Sequence, residues 1–263
     1  MTYRSSKDAR ETPSREAKVP SSRARIACWI GVLALLFVLC APGLGADPFR
    51  EWNRKFQDAI GLLKSGEPEK ALRKLEGVLE EYAGLAGPGA ANERNLGTIL
   101  VHRAIAEQAL GRAEDARWSW DLAVNFLPMA HTFDLSPFGE AGQELLEYAR
   151  IAAREKESKP FPDARGCENC VPGLTPPKPI KTVQPRYTTA GWQFLVEGAL
   201  VVRVVVDAQG RVRRPEVIEK LSTPGLSYAA LIALRGWKFE PATLDGKPIP
   251  VYYTLTVNYK LRK

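Results

Sequence analysis

Histidine is nearly absent from this chain: His102 and His131 are its only two. Neither has a cysteine or carboxylate pattern around it, so a histidine-based metal centre or acid–base site has no support. The four cysteines are equally uninformative as a metal set. Cys28 and Cys40 lie in an apolar run, which leaves only Cys167 and Cys170. A four-cysteine zinc site needs a second pair. A c-type haem site needs a histidine after the second cysteine, where Val171 stands. There is no nucleophile elbow, no phosphate-binding glycine loop and no paired-carboxylate site, so no enzymatic chemistry and no cofactor are expected.

The formal net charge of +7 is unevenly spread. Residues 48–159 hold 18 acidic and 15 basic side chains, whereas 160–263 hold 8 acidic and 15 basic ones. Basic proteins invite a nucleic-acid reading, but no nucleic-acid motif accompanies this charge and none is expected as a partner. Residues 1–25 are polar and rich in Arg and Lys, and Ile26–Leu44 has no charge at all. This pattern is a membrane-targeting segment with its basic end in the cytoplasm. Counted to Ala46 it is 21 residues, about the length that spans a bilayer. A retained single-pass anchor is expected. Cleavage near Gly43–Ala46 and lipidation at Cys40 are the alternatives, and each places residues 47–263 outside the cytoplasm.

Residues 48–157 read as helical and contain an internal repeat. Ala59, Gly66, Ala71, Leu75 and Val78 recur 45 residues later as Ala104, Gly111, Ala116, Trp120 and Ala123. The spacing resembles the tetratricopeptide repeat: a small residue where helices approach closely, a glycine at the turn, then apolar residues on the second helix. The usual period is shorter by about eleven residues, so a loop is expected at Ala83–Asn92. A third helix is expected over Pro137–Glu157, capped by Ser136. The first helix of each pair would line a peptide groove with Asn53, Phe56, Ile60 and Leu63, then Thr98, Val101, Ile105 and Gln108. Equally, these residues serve only to pack a helical spacer, and His102 and His131 are each expected at its surface or in the groove. Trp120 occupies a repeat core position, and Trp118, on the opposite face, has no assigned role.

Residues 158–183 are rich in proline and read as a semi-rigid linker. Cys167 and Cys170 within it are expected to form a local disulfide in an oxidising compartment. A thiol oxidoreductase is the enzymatic alternative, but it needs its first cysteine at a helix N-terminus.

The last eighty residues are the most legible. Gly198–Asp207 is almost wholly β-branched, Asp207-Ala208-Gln209-Gly210 is a hairpin turn, and Arg211–Glu219 returns as a second strand with Pro215 at an edge or bulge. Leu226–Leu234 has helical spacing and Gly236 stops it. Val251–Leu261 then alternates over eleven residues. The fold expected is α+β: a helical repeat domain, then a small antiparallel sheet with helices on one face.

This region, 179–261, resembles the C-terminal domain of TonB-family energy transducers. The resemblance rests on Gln184-Pro185-Arg186-Tyr187, Glu197-Gly198, Asp207-x-x-Gly210-x-Val212, Ala229-Ala230, Trp237-x-Phe239-x-Pro241-Ala242 and Gly246-x-Pro248. Thr188 departs from the family's usual proline. The resemblance implies an inner-membrane protein with a periplasmic module that binds a segment of an outer-membrane β-barrel transporter by strand addition. It assigns the pairing to Val251, Tyr252, Tyr253, Thr254, Leu255, Thr256, Val257 and Asn258, and a second contact to Gln184, Pro185, Arg186 and Tyr187. The same edge would serve a homodimer. The family also couples to an inner-membrane proton-channel complex through a histidine in its span, and Ile26–Ala46 has neither histidine nor acid. The family's long arm is missing as well: 27 extended residues from Lys159 to Pro185 reach only about 80 Å. A non-energised periplasmic scaffold that holds other periplasmic proteins is therefore the alternative function.

Overall fold

A computed structural model describes residues 48–164 and 171–261, which form one compact unit. The expected anchor at 26–46 and the cysteines at 167 and 170 lie outside the described residues. Among those described, no helix is long and apolar enough to cross a membrane.

Two helix hairpins come first: α1 (Pro48–Lys64) with α2 (Pro68–Leu85), and α3 (Ala90–Ala109) with α4 (Ala113–Phe126). They share one local design, as the repeat predicted. Gly66 and Gly111 end the first helix of each pair at φ +77° and +72°. One residue later, Glu67 N–H donates to Leu62 O and Arg112 N–H to Glu107 O, both at 2.9 Å. This six-residue closure satisfies a helix's last carbonyls and favours glycine at the left-handed position. Ala59, Ala71, Ala104 and Ala116 are fully buried where the helices meet.

The loop expected over Ala83–Asn92 is mostly helix. α2 continues to Leu85 and α3 starts at Ala90, so the longer repeat is absorbed by longer helices. Asn92 holds the short connection, donating to Gly87 O at 2.9 Å and accepting from the Tyr82 hydroxyl at 2.8 Å. The third helix, α5 (Gly139–Ser158), starts two residues later than expected, because Ser136–Phe138 forms a separate 3-10 turn and Gly139 takes φ +60° between them.

The C-terminal part has three small sheets. β3 (Gly198–Val206), β4 (Val212–Glu219) and β8 (Val251–Tyr259) form the main one, antiparallel in the order β4-β3-β8. The pairing of β3 with β8 is unbroken from Gly198–Tyr259 to Val206–Val251. α7 (Pro224–Arg235) covers one face, and α6 (Thr189–Gln193) precedes β3. Two minor sheets were not foreseen: β1 (Leu174–Thr175) pairs with β6 (Thr243–Leu244), itself paired with β7 (Lys247–Pro248), and β2 (Lys178–Lys181) pairs with β5 (Lys238–Glu240). The segment expected to be a linker is thus held to the sheet domain. Its prolines remove donors from only one side of such short edge strands.

The helices and the sheet share one packed core. α2 and α4 contact α7, and α4 contacts β4. Gly225, at the start of α7, sits so close to α2 that a Cβ there would lie 2.1 Å from Ala83 O. Trp118 is 4% exposed, with the Arg235 guanidinium 5.7 Å from its ring. It belongs to the face of α4 turned to α7, which accounts for the second tryptophan. Five ion pairs run from acids of the helices to bases of the sheet domain: Glu80–Arg186, Glu93–Lys220, Glu114–Arg213, Asp115–Arg235 and Glu155–Arg214. Lys156–Glu216 runs the other way. Exposed pairs contribute about 0–1 kcal/mol each, so they orient the contact while apolar packing holds it.

The most specific contact is Asn125 of α4. Its Nδ2 donates to Pro215 O and its Oδ1 accepts from Val217 N–H, both at 2.8 Å. The side-chain amide thus imitates a neighbouring strand along the outer edge of β4. Asn125→Ala leaves a donor and an acceptor unpaired in a half-covered site and should lower stability by about 1–3 kcal/mol in chemical denaturation. A loss below about 0.5 kcal/mol would show that these two bonds do not hold the edge.

Candidate functional site

β8 is the other edge of the main sheet. Its alternating sequence divides its groups cleanly. Val251, Leu255, Val257 and Tyr259 are buried, with Tyr253 partly so, while Thr256 and Asn258 are exposed. Backbone groups alternate in the same way. Tyr252 N–H donates to Pro162 O and Tyr252 O accepts from Ala164 N–H, each at 2.8 Å, so the groups of Tyr252 point away from β3. Those of Thr254, Thr256 and Asn258 must then do likewise, whereas Val251, Tyr253, Leu255 and Val257 direct theirs to β3. Of the eight residues assigned to pairing, four can offer main-chain groups to a new strand. One of these, Tyr252, is already engaged.

The Gln184–Tyr187 segment meets β8 only at its far end. Tyr187 lies 5.4 Å from Tyr259, edge on, and 4.6 Å from Trp192, and its hydroxyl donates to Val196 O. Trp237 Nε1–H fixes the start of the segment by donating to Val183 O at 2.9 Å. Thr188, the departure from the family's proline, caps α6 by accepting from Gly191 N–H at 3.1 Å. Gln184 and Arg186 stay exposed. Arg186 is 88% and its partner Glu80 76% exposed, so that ion pair holds little. Pro185 and Tyr187 line a cleft of about 660 Å³ between α2 and α7, with Glu76, Glu80, Tyr228 and Ile232.

The groove expected along the first helix of each pair is not open. Val101 and Ile105 are buried, as are Phe56 and Leu63, because α5 and the turns before it lie against α3. Gln108 donates to Glu144 of α5. Ile60 and Thr98 are half-buried, and only Asn53 is exposed. His102, expected at the surface or in the groove, is wedged edge on between Phe56, one of the groove candidates, and Phe138, at 5.2 and 5.7 Å. Its Nδ1–H donates to Thr98 O at 2.8 Å, and burial pushes its pKa down. His131 is exposed.

Beside Tyr252 lies a cavity of about 270 Å³, bounded by Asp121, Asn125, Lys156, Arg203, Arg214 and Glu216 among others. Asp121 is its buried acid. The Tyr148 hydroxyl lies 2.9 and 3.0 Å from the two carboxylate oxygens and donates to them. Burial raises the Asp121 pKa to about 7, against the opposing pull of Tyr148 and of Arg214, Arg117 and Arg213. Neither Asn125, the 162–164 segment nor this carboxyl carries a sequence motif. The only advance sign of the helix–sheet contact was the opposite charge of the two parts.

Residues 184–261 match the family model of the Gram-negative bacterial TonB protein C-terminal, bearing out the resemblance drawn from the motifs. Protein TonB of Vibrio cholerae serotype O1 is 33% identical over 79 residues, 30% of this chain and 32% of that protein. Protein TonB of Xanthomonas campestris pv. campestris (strain B100) is 32% identical over 77 residues, 29% of this chain and 34% of that protein. The chain thus spans about a third of the length of the curated relatives it matches. The solution NMR structure of the Pseudomonas aeruginosa TonB CTD aligns with 34% of this chain and 90% of its own, at 24% identity and a TM-score of 0.30.

The raised Asp121 pKa fixes a sign. Between its ordinary value of 3.8 and about 7 the folded chain holds a proton that the unfolded chain has released. This contribution to stability is full below pH 4 and is lost as pH rises to 7, with a slope of at most about 1.4 kcal/mol per pH unit. Denaturation midpoints should show Asp121→Asn lacking that fall. Parallel profiles for both chains would contradict the assignment.

Proposed function

We propose that the C-terminal domain takes up an extended segment of an outer-membrane transporter by strand addition along β8, and that the chain couples that transporter to the inner membrane. The observation that carries the reading is the row of outward backbone groups at Thr254, Thr256 and Asn258, on an edge with no strand beyond them among the described residues. Such a row is an aggregation liability unless it is used. An added strand supplies one donor and one acceptor to each outward residue, and its side chains then lie beside small polar ones. Gln184 and Arg186, both exposed, provide the second contact. The anchor at 26–46 would hold this body at the inner membrane with residues 48–261 in the periplasm.

Coupling by this chain would differ from that of the family in two respects. The apolar span has no histidine or carboxylate to take up and release a proton, so any energy input must enter through residues of a proton-channel partner. Residues 174–175 and 178–181 are held in strands rather than free to extend, so the transporter segment must do the reaching. A scaffold that binds through its helical hairpins has less support, because Val101 and Ile105 are covered.

Two proline substitutions separate binding from folding. Thr256→Pro removes an N–H that faces outward, whereas Val257→Pro removes one bonded to β3. Thr256→Pro should stay folded, within about 1 kcal/mol, and bind a synthetic periplasmic segment of an outer-membrane transporter at least about tenfold more weakly in calorimetry. Val257→Pro should unfold the sheet. Unchanged binding by folded Thr256→Pro would refute strand addition at β8.

A further inference from the structure

Residues 162–164 lie outside the segment that matches the TonB family, yet they touch the edge that the proposed function uses. α5 ends at Ser158, and Lys159 turns the chain at φ 46°, its N–H donating to Glu155 O at 3.0 Å. The next residues reach β8. Asp163 forms a parallel bridge with Tyr252, flanked by the two 2.8 Å bonds from Tyr252 N–H to Pro162 O and from Ala164 N–H to Tyr252 O. The Phe161 ring is 5.6 Å from that of Tyr252, and Ala164 is only 4% exposed.

We infer that this segment is a stop that sets the register of the incoming strand. The partner pairs with Thr254, Thr256 and Asn258 and ends short of Tyr252. The inference rests on strand addition at β8. A longer partner could continue only by displacing residues 162–164. It would then exchange two main-chain hydrogen bonds for two of the same kind, so pairing yields no net gain. It would also expose Ala164 and part Phe161 from Tyr252. The stop is tethered to α5, so its effective concentration at the edge, of the order of millimolar or higher, exceeds that of a dilute partner. The accepted strand therefore runs about five residues, or about 17 Å. Residues beyond it meet Phe161 and the 162–164 segment rather than free backbone.

The test uses the full chain and alternating Val-Thr peptides of five, seven and nine residues, N-methylated at every second residue so that they cannot stack on one another. With the native chain, affinity should change less than about twofold from five to nine residues. Amide exchange should slow at Thr254, Thr256 and Asn258 and stay unchanged at Tyr252. Two variants release the stop by different means. Ala164→Pro deletes the donor to Tyr252 O, and Phe161→Ala with Ala164→Gly keeps every donor while stripping the packing. In each, the nine-residue peptide should bind about tenfold tighter than the five-residue one. A tenfold length effect in the native chain, or faster exchange at Tyr252 on binding, would mean the segment is displaced and would overturn the inference while strand addition stands. Equal, flat length dependence in all chains would overturn it as well. Protection of no β8 amide by any peptide would instead remove strand addition itself, and the stop with it.

Discussion

A three-stranded sheet has two edges, and every main-chain group on them must find a partner or meet water. Much of this structure follows from how the two edges are treated. On β4, the Asn125 amide of α4 supplies one donor and one acceptor in place of a strand. On β8, residues 162 and 164 engage Tyr252. The helical hairpins thus cover one edge of the sheet, and the chain leaving α5 covers the start of the other. Among the described residues, what remains is a short open run at Thr254–Asn258, bounded by the stop at one end and by Tyr259 with Tyr187 at the other.

Weak interactions and strong ones divide the task of joining helices to sheet. The ion pairs follow the charge asymmetry of the chain, with helix acids meeting sheet bases in five of six cases. Their exposure limits each to a small contribution. Burial of Trp118 and the close approach of Gly225 to Ala83 remove apolar surface and admit little play. The basic excess of residues 160–263 is thus directed in part at the chain's own helices. The buried Asp121 adds a group whose ionisation opposes the packed state near neutral pH.

Where local pattern decided the structure, it could be read in advance. The hairpin turns were visible because Gly66 and Gly111 occupy the same left-handed position in each copy. β8 was visible because its side chains alternate over its whole length, and that alternation also fixes which backbone groups face outward. The site was legible only in part. Val251–Asn258 was identified as a block, but the separation of outward from inward residues needed the β3 register and the contact at Tyr252. Three features were hidden because they depend on tertiary contact. Val101 and Ile105 look like groove residues until α5 covers them. A proline-rich segment looks like a linker until its few free donors pair with the sheet. Asn125 is an ordinary helix-surface asparagine until β4 is brought beside it.

Residue-resolved amide exchange on the chain alone, without any partner, tests the treatment of the two edges most directly. Val217 and Tyr252, the outward amides that have partners, should exchange slowly. Thr254, Thr256 and Asn258, the outward amides that have none among the described residues, should exchange at least about tenfold faster, although all share one sheet. Uniformly slow exchange from Tyr252 to Asn258 would mean that the edge is already covered, and fast exchange at Val217 would mean that Asn125 does not cover the other. Either result would contradict a sheet left with one short open edge.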